Sequence, residues 1–560
     1  MSARPMLLII AAALVAFAAS LSLTDIESED YFWQLRTGQL IWETGAVPTQ
    51  DPFSYTAPGA PYVDIHWLFQ LWLFAVHRLG GEAAVVVGKL AWVLLTLGLL
   101  APIGARRERP AVSGAAGVLV LVLLAERIMP RAELPSFALL AGLLLLLDRL
   151  RRPGDRFAVL WIILLQGVWA NTHGLFAVGI AVVAIHLAGD LFDRWSTGST
   201  REAGSIARLA VAFAGSIAVS FANPNGWRGV VYPIQQLGMI GSPEDRALGS
   251  SIVELQPTLG GAGPMVIAAA ALLFGLALLA LIANRRAAPM RDWLLGVAFL
   301  YLALTARRNL ALFAIVVAPI AVAHCNAWLD ANPRRWTPRL QLASSGAVVL
   351  ACALLCLDVA TTGFHLRLGV PREPGFGLMR NWYSLGAADW IARHHPPGPI
   401  AHHMADGGLF IARLYPEYPV MVDGRLEVYG PELFDRLQWR DPADFVALHR
   451  EHRFGTVVVH FSKYPSGPML VWLQSRPAWK LVFVDPVSAV YVRDPDDRFE
   501  ALDVDADDLF PPLVDEGRVQ AELQVRGRAL FYTALRREGR ARAAVAWARD
   551  HYPEIDFSAP

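Results

Sequence analysis

Charge is scarce in this chain, and cysteine is almost missing. Asp, Glu, Lys and Arg make up 18% of the 560 residues, while 55% are hydrophobic; soluble domains carry about 25% charged residues. So few charges exclude a wholly water-soluble protein and put most of the chain in a bilayer. The formal net charge is zero, so there is no electrostatic footprint for nucleic acid and none is expected as a partner. The three cysteines, Cys325, Cys352 and Cys356, sit in or near apolar runs. That excludes a disulfide framework and any cysteine-based zinc spacing. No strong internal repeat is present.

Long apolar runs are what the chain has in abundance. They cover 7–23, 83–100, 112–125, 134–147, 157–170, 175–191, 206–221, 264–283, 293–305, 310–327 and 342–360, which predicts about eleven spans. Several fall short of the ~20 residues a span needs, so their helices must extend into flanking polar residues. The first run follows Arg4 and is read as an uncleaved span, with a signal peptide as the alternative. Residues 65–79 are apolar but short, hold His66 and His77, and are dense in Trp and Phe. That composition suits a helix lying at the interface. If this segment does not cross, Arg4 and the arginine-rich loops at 105–110, 148–156, 193–201, 284–291 and 330–339 share one side. Positive charge marks the cytoplasmic side. The expectation is a multi-pass inner (plasma) membrane protein with a cytoplasmic N-terminus. Residues 25–66 and the C-terminal part then lie on the outer, periplasmic face.

The outer side collects the unusual polar chemistry. Residues 25–70 are too long for a simple connector, and Trp33, Trp42, Trp67, Phe32, Phe53 and Phe69 argue against disorder. Asp30 follows the first span among aromatics. A carboxylate held partly out of water there suits a general base; it equally suits a helix cap. Asp25 and Glu29 could hold a divalent cation beside it, or simply face solvent. Turn formers from Gly45 to Pro61 make the next segment rigid and can fix Asp51, Asp64 and His66 in place. Asp64 and His66 form either an acid–imidazole pair, or a helix cap and a packed ring. His173 beside Gly174, Glu254 on an outer loop, and Asn309 are further substrate-binding candidates. Asn223 and Asn225 read as a turn. Arg307 and Arg308 lie at the outer end of a span, against the charge rule. A phosphate is a natural partner for paired arginines, and an outer-loop acid is the alternative.

From residue 369 the apolar runs shorten and turn formers return. A small soluble α/β domain is predicted over 369–494, with a buried strand in 454–461, a helix over 443–453, and a strand pair in 479–494 joined at 485–488. The acidic stretch 495–515 reads as a solvated linker before a C-terminal amphipathic helix over 526–551, so 495–560 forms the tail. His394, His395, His402 and His403 show no metal-ligand spacing. Asp423-Gly424-Arg425 reads as a turn after a strand. The fold class is thus a polytopic α-helical membrane domain over 1–368, its first outer loop and interfacial helices at 25–80, followed by the α/β domain.

D-x-x-W-Q-L-R-T-G at 30–38, G-A-V-P-T-Q-D-P-F-S-Y-T-A-P-G at 45–59 and D-I-H-W-L at 64–68 stand together in this sequence. With W-x-N-x-H-G at 169–174, R-R-N at 307–309 and G-G…D-G-R at 407–425, they resemble a widespread class of bacterial multi-span proteins. That class is similar to the GT-C superfamily of glycosyltransferases, which includes protein mannosyltransferases and aminoarabinose transferases. The resemblance implies a bundle of spans, interfacial helices in the first outer loop, and a catalytic acid just after the first span, here Asp30. It also implies a polyprenyl-phosphate sugar donor. Relatives commonly carry two tryptophans and a histidine where this chain has Tyr31-Phe32-Trp33-Gln34, so an imidazole is missing at Gln34.

The implied activity is transfer of a hexosyl or pentosyl group from the lipid-linked donor to a hydroxyl of a glycan, lipid or protein acceptor. Asp30 would accept the proton, and Arg307 or Arg308 would offset the leaving phosphate. No cofactor is required beyond the divalent-cation alternative. Two other readings stand beside it. A flippase for lipid-linked sugars would place charged or broken helices at mid-membrane in paired repeats, whereas here polar groups gather at one surface. A non-catalytic envelope assembly protein would use its outer domain to bind a partner.

Overall fold

Residues that are apolar around a whole helix circumference can be covered only by lipid or by other helices. The expected runs all fold this way. The computed structural model describes residues 3–152, 155, 157–197, 203–241, 256–513 and 517–551. Among them, seven helices are long and apolar enough to cross a membrane, and Ala158–Ala170 and Gly204–Ser220 are apolar but shorter. The chain is a polytopic helical membrane protein. Arg307–Ala331 is its hub: 83% of its apolar window is buried, against 22% for Pro338–Ala360 at the rim. Pro264–Ala283, Pro110–Leu124 and Met290–Thr305 pack on this hub.

The chain divides into two compact units, Met1–Thr24 with Asp64–Phe376 and Asp25–Val63 with Gly377–Pro560. The first outer loop, expected within the 1–368 membrane part, is therefore split at Val63. Its first half clusters with the C-terminal residues. Hydropathy marks where a span ends, but it carries no information about what the following polar segment packs against.

In the first unit, polar contacts sort the helix ends into two sets. Arg109 pairs with Asp330 at 2.7 Å, and the Gln341 amide donates to the Glu108 carbonyl. Asn284 donates to the His324 carbonyl, Asp193 accepts from the Met290 amide, and Arg151 and Arg291 share Asp190. These contacts join all the arginine-rich loops on one face. The opposite ends meet through Arg307–Glu126, Asn225 to the Asp64 carbonyl, the Leu68 amide to the Asn171 carbonyl, and Arg372 to the Glu126 carbonyl.

Trp67–Leu100 is helical except at Gly80 and Gly81, where φ is −171° and +62°. A continuous helix would separate Trp72 from Trp92 by ~30 Å. Their ring centroids are 5.6 Å apart, and a β-carbon at Gly88 would touch Trp72 at 3.1 Å. The chain thus doubles back at the two glycines, and residues 67–79 lie along the start of the next helix instead of running on into it. The buried Lys89 ammonium donates to Thr24 at the end of the first span, so this hairpin sits at the level of that end.

The second unit holds a four-stranded sheet in the order β1 (Ile400–Ala401), β2 (Thr456–Val459), β4 (Ala489–Arg493), β3 (Trp479–Val484). β1 and β2 are parallel; the other pairs are antiparallel, with an irregularity at Leu481/Phe483. β2 reads T-V-V-V and is buried throughout, as a strand covered on both faces should be. The acidic stretch is not a free linker. The Leu502 amide bonds the Leu481 carbonyl, and Asp505 takes both Nε and Nη2 of Arg537. The expected tail helix is two helices, Arg518–Ala534 and Glu538–His551.

Candidate functional site

In the second unit the helix Asp30–Thr44 begins at Asp30. An acid in a first turn is favoured by the helix dipole. No side chain caps this helix; instead the half-buried Asp30 accepts from the Trp33 indole N–H at 3.0 Å. Two glycines close over this turn. A β-carbon at Gly408 would lie 2.9 Å from the Glu29 carbonyl, and one at Gly424 would lie 2.8 Å from Asp30 Oδ1. The D-x-x-W and G-G…D-G-R motifs are therefore one packed joint.

Arg425 anchors that joint. It is fully buried and grips Asp423 through Nε at 2.8 Å and Nη2 at 2.6 Å. Its Nη1 pairs with Asp51 at 2.8 Å, and its guanidinium lies over the rings of Phe53 and Tyr62. Asp51 also accepts from the Phe53 and Ser54 amides and the Ser54 hydroxyl. Tyr429 donates to Asp423. Burial pushes the Asp423 carboxyl up, but Arg425 outweighs it and holds the group below its ordinary value. Asp51, a substrate-binding candidate in the sequence, is here a buried structural partner.

The remaining acids of the opening stretch are also engaged. Asp25 accepts from the Gly377 amide. Glu29 pairs with Lys463, which lies over Trp382. Among the described residues no group of three His, Cys, Asp or Glu could hold a metal ion. The four histidines go separate ways. His394 stacks on Trp390, His395 meets Glu417, His402 accepts from the Met421 amide, and His403 lies between Trp439 and Tyr464. Nearby, Asp406 accepts from Ser384 at 2.6 Å and meets His460 Nδ1 at 2.8 Å.

The first unit brings a different set together. Asp64 Oδ1 accepts from the His66 amide and the Gln70 side chain, so it caps the helix that starts at Trp67. The His66 and His173 rings are 5.2 Å apart. His173 Nδ1 accepts from the Leu175 amide, which places the proton of its neutral form on Nε2. Burial first, then His66, Arg308, Arg127 and Arg131, hold His173 well below its ordinary value. His173 thus lies beside positive charges. Arg307 pairs with Glu126 at 2.6 Å, an acid of the loop at the same helix ends. Asn309 donates to the Leu302 carbonyl and closes the preceding helix. Glu254 lies outside the described residues.

Sequence reading took Arg425 as part of a turn and gave no role to Asp406, His460 and Arg131. Asp423 and Arg425 carried a signal, because charges closely following the apolar V-M-V must be paired if buried. The others carried none.

No family model matches the chain, and no curated protein matches it. Two solved structures share its fold. The Archaeoglobus fulgidus oligosaccharyltransferase, tethered to an acceptor peptide containing the NVT sequon, aligns at TM-score 0.53 and 12% identity over 86% of this chain and 74% of its own. ArnT from Cupriavidus metallidurans in the apo state aligns at TM-score 0.52 and 14% identity over 87% and 97%. At these identities the likeness is one of fold.

Proposed function

We propose that this protein is a membrane glycosyltransferase. It moves a sugar from a polyprenyl-phosphate donor to an acceptor hydroxyl on the outer face. About eleven spans carry the N-terminus on the cytoplasmic side and the C-terminal residues outside. The observation that carries the reading is the fold shared over 86% and 87% of the chain with an oligosaccharyltransferase and ArnT.

Asp30 accepts the proton of the acceptor hydroxyl as its oxygen attacks the anomeric carbon. The bond from that carbon to phosphate breaks, and polyprenyl phosphate leaves with the electron pair. A phosphate leaving group needs no strong general acid, so one base and a positive field suffice for inverting transfer. The indole bond from Trp33 and the close approach of Gly424 fit a carboxylate that must keep one orientation. In the first unit, Arg308 with His66 and His173 is assigned to the donor phosphate. Arg307 is already paired with Glu126.

Transfer from a lipid-linked donor in membranes carrying Asp30→Asn tests the base and is expected to fall by about 10²–10⁴. A normal rate would remove Asp30 from the chemistry. Arg308→Gln is expected to raise the KM for donor while leaving the protein folded.

A further inference from the structure

A groove of about 790 Å³ opens in the first unit, away from the residues assigned above. Four helices line it: Pro110–Leu124, Pro264–Ala283, Leu310–Ala331 and Pro338–Ala360. Each contributes the half nearest the arginine-rich loops, through residues such as Ala115, Leu119, Leu276, Val322 and Ala347. The walls are apolar apart from Ser344 and the edges of Trp328 and Trp336. Leu272, Leu276 and Leu279 are 40–68% exposed along one side. In a membrane protein, such a groove is filled by lipid chains.

The loop end of the groove carries charge. Arg334 and Arg335 sit in the turn between two of its helices, Arg339 opens the next helix, and Arg285 and Arg286 follow the end of another. Arg335 lies over the Trp328 ring, 5.4 Å from its centroid. None of these five has a carboxylate partner among the described residues, whereas Arg106 and Arg109 in the same face share Asp330. The Trp336 Nε1–H is enclosed without an acceptor among the described residues. An apolar slot with guanidinium groups that lack a carboxylate partner at its mouth matches one molecular shape, an acyl chain ending in an anionic, oxygen-rich head.

We infer that this groove binds a phospholipid of net negative head-group charge from the leaflet on the arginine-rich side. Its acyl chain lies between the four helices, and its phosphate meets Arg334 and Arg335. The site is separate from the donor assignment and does not depend on it.

The test is native mass spectrometry of the full chain, delipidated in mild detergent and titrated with phosphatidylglycerol or with phosphatidylcholine. One phosphatidylglycerol should be retained per chain, about tenfold more tightly than phosphatidylcholine. The exposed double variant Arg334→Gln/Arg335→Gln should lose that preference, and Arg413→Gln in the other unit should keep it. Ala347→Phe, in a preparation with unchanged melting, should reduce retention of both lipids. Equal retention of the two lipids by the unaltered chain would overturn the inference. So would an Arg334→Gln/Arg335→Gln protein that still prefers phosphatidylglycerol.

Discussion

Gly424 lies against Asp30: a β-carbon at Gly424 would come within 2.8 Å of Asp30 Oδ1 and 3.3 Å of Trp33 Nε1. A turn near the C-terminal sheet and the first residue of an early helix therefore share one contact surface. Gly424→Ala must push the Asp30–Trp33 pair aside, an overpacking that costs about 1–3 kcal/mol. Sugar transfer is expected to fall at least about tenfold in a variant that still melts cooperatively. Full activity in such a variant would show that the orientation of Asp30 is not needed.

Arg425→Met breaks the pairs with Asp51 and Asp423 and leaves two buried carboxylates facing each other. Removing one partner of a buried ion pair costs about 3–5 kcal/mol. Chemical denaturation of the full chain should show that loss. Arg425→Lys should recover little of it, because an ammonium cannot take two acids in a fixed fork. A Lys variant as stable as the unaltered protein would argue against the geometry.

Asp485 gives a pH test. Burial pushes its carboxyl up to about 6, against hydrogen bonds from the Ser488 and Val487 amides that pull it down. A folded-state value above the unfolded one means that its stabilising contribution is complete below the ordinary carboxylate range. That contribution is lost as pH rises through about 6. Asp485→Asn keeps an acceptor for both amides and removes the charge. It should raise stability at pH 8, by about 3 kcal/mol at most, and give no gain at pH 4. A gain at acid pH alone would reverse the sign and refute the assignment.

The hairpin at Gly80–Gly81 gives a backbone test. Gly81 has φ +62° and ψ −150°, a region closed to other residues at a cost of about 1–3 kcal/mol. Gly81→Val should lower the melting temperature and weaken a disulfide formed between Val76→Cys and Gly88→Cys, which face each other across the hairpin. Undiminished cross-linking would mean that the turn tolerates a side chain.

What the sequence determined by itself is the part governed by solvent. A residue either tolerates hydrocarbon or does not, so the apolar runs were legible from hydropathy. So was the segregation of the arginine loops, which the contacts among Arg109, Asp330, Asp193 and Arg291 bring to one face. The strand pair joined at 485–488 was legible too, because turn formers and β-branched runs act locally. What only the tertiary structure decided is which polar groups are spent on one another. Asp51, Asp64, Arg307 and Asn309 were substrate-binding candidates, with a helix cap open for Asp64 and an acid partner open for Arg307, and each is held by a partner, some distant in sequence. Pairing of buried charges depends on distances of a few ångströms between segments brought together by folding. Composition does not encode such distances, whereas burial of an apolar run depends on that run alone.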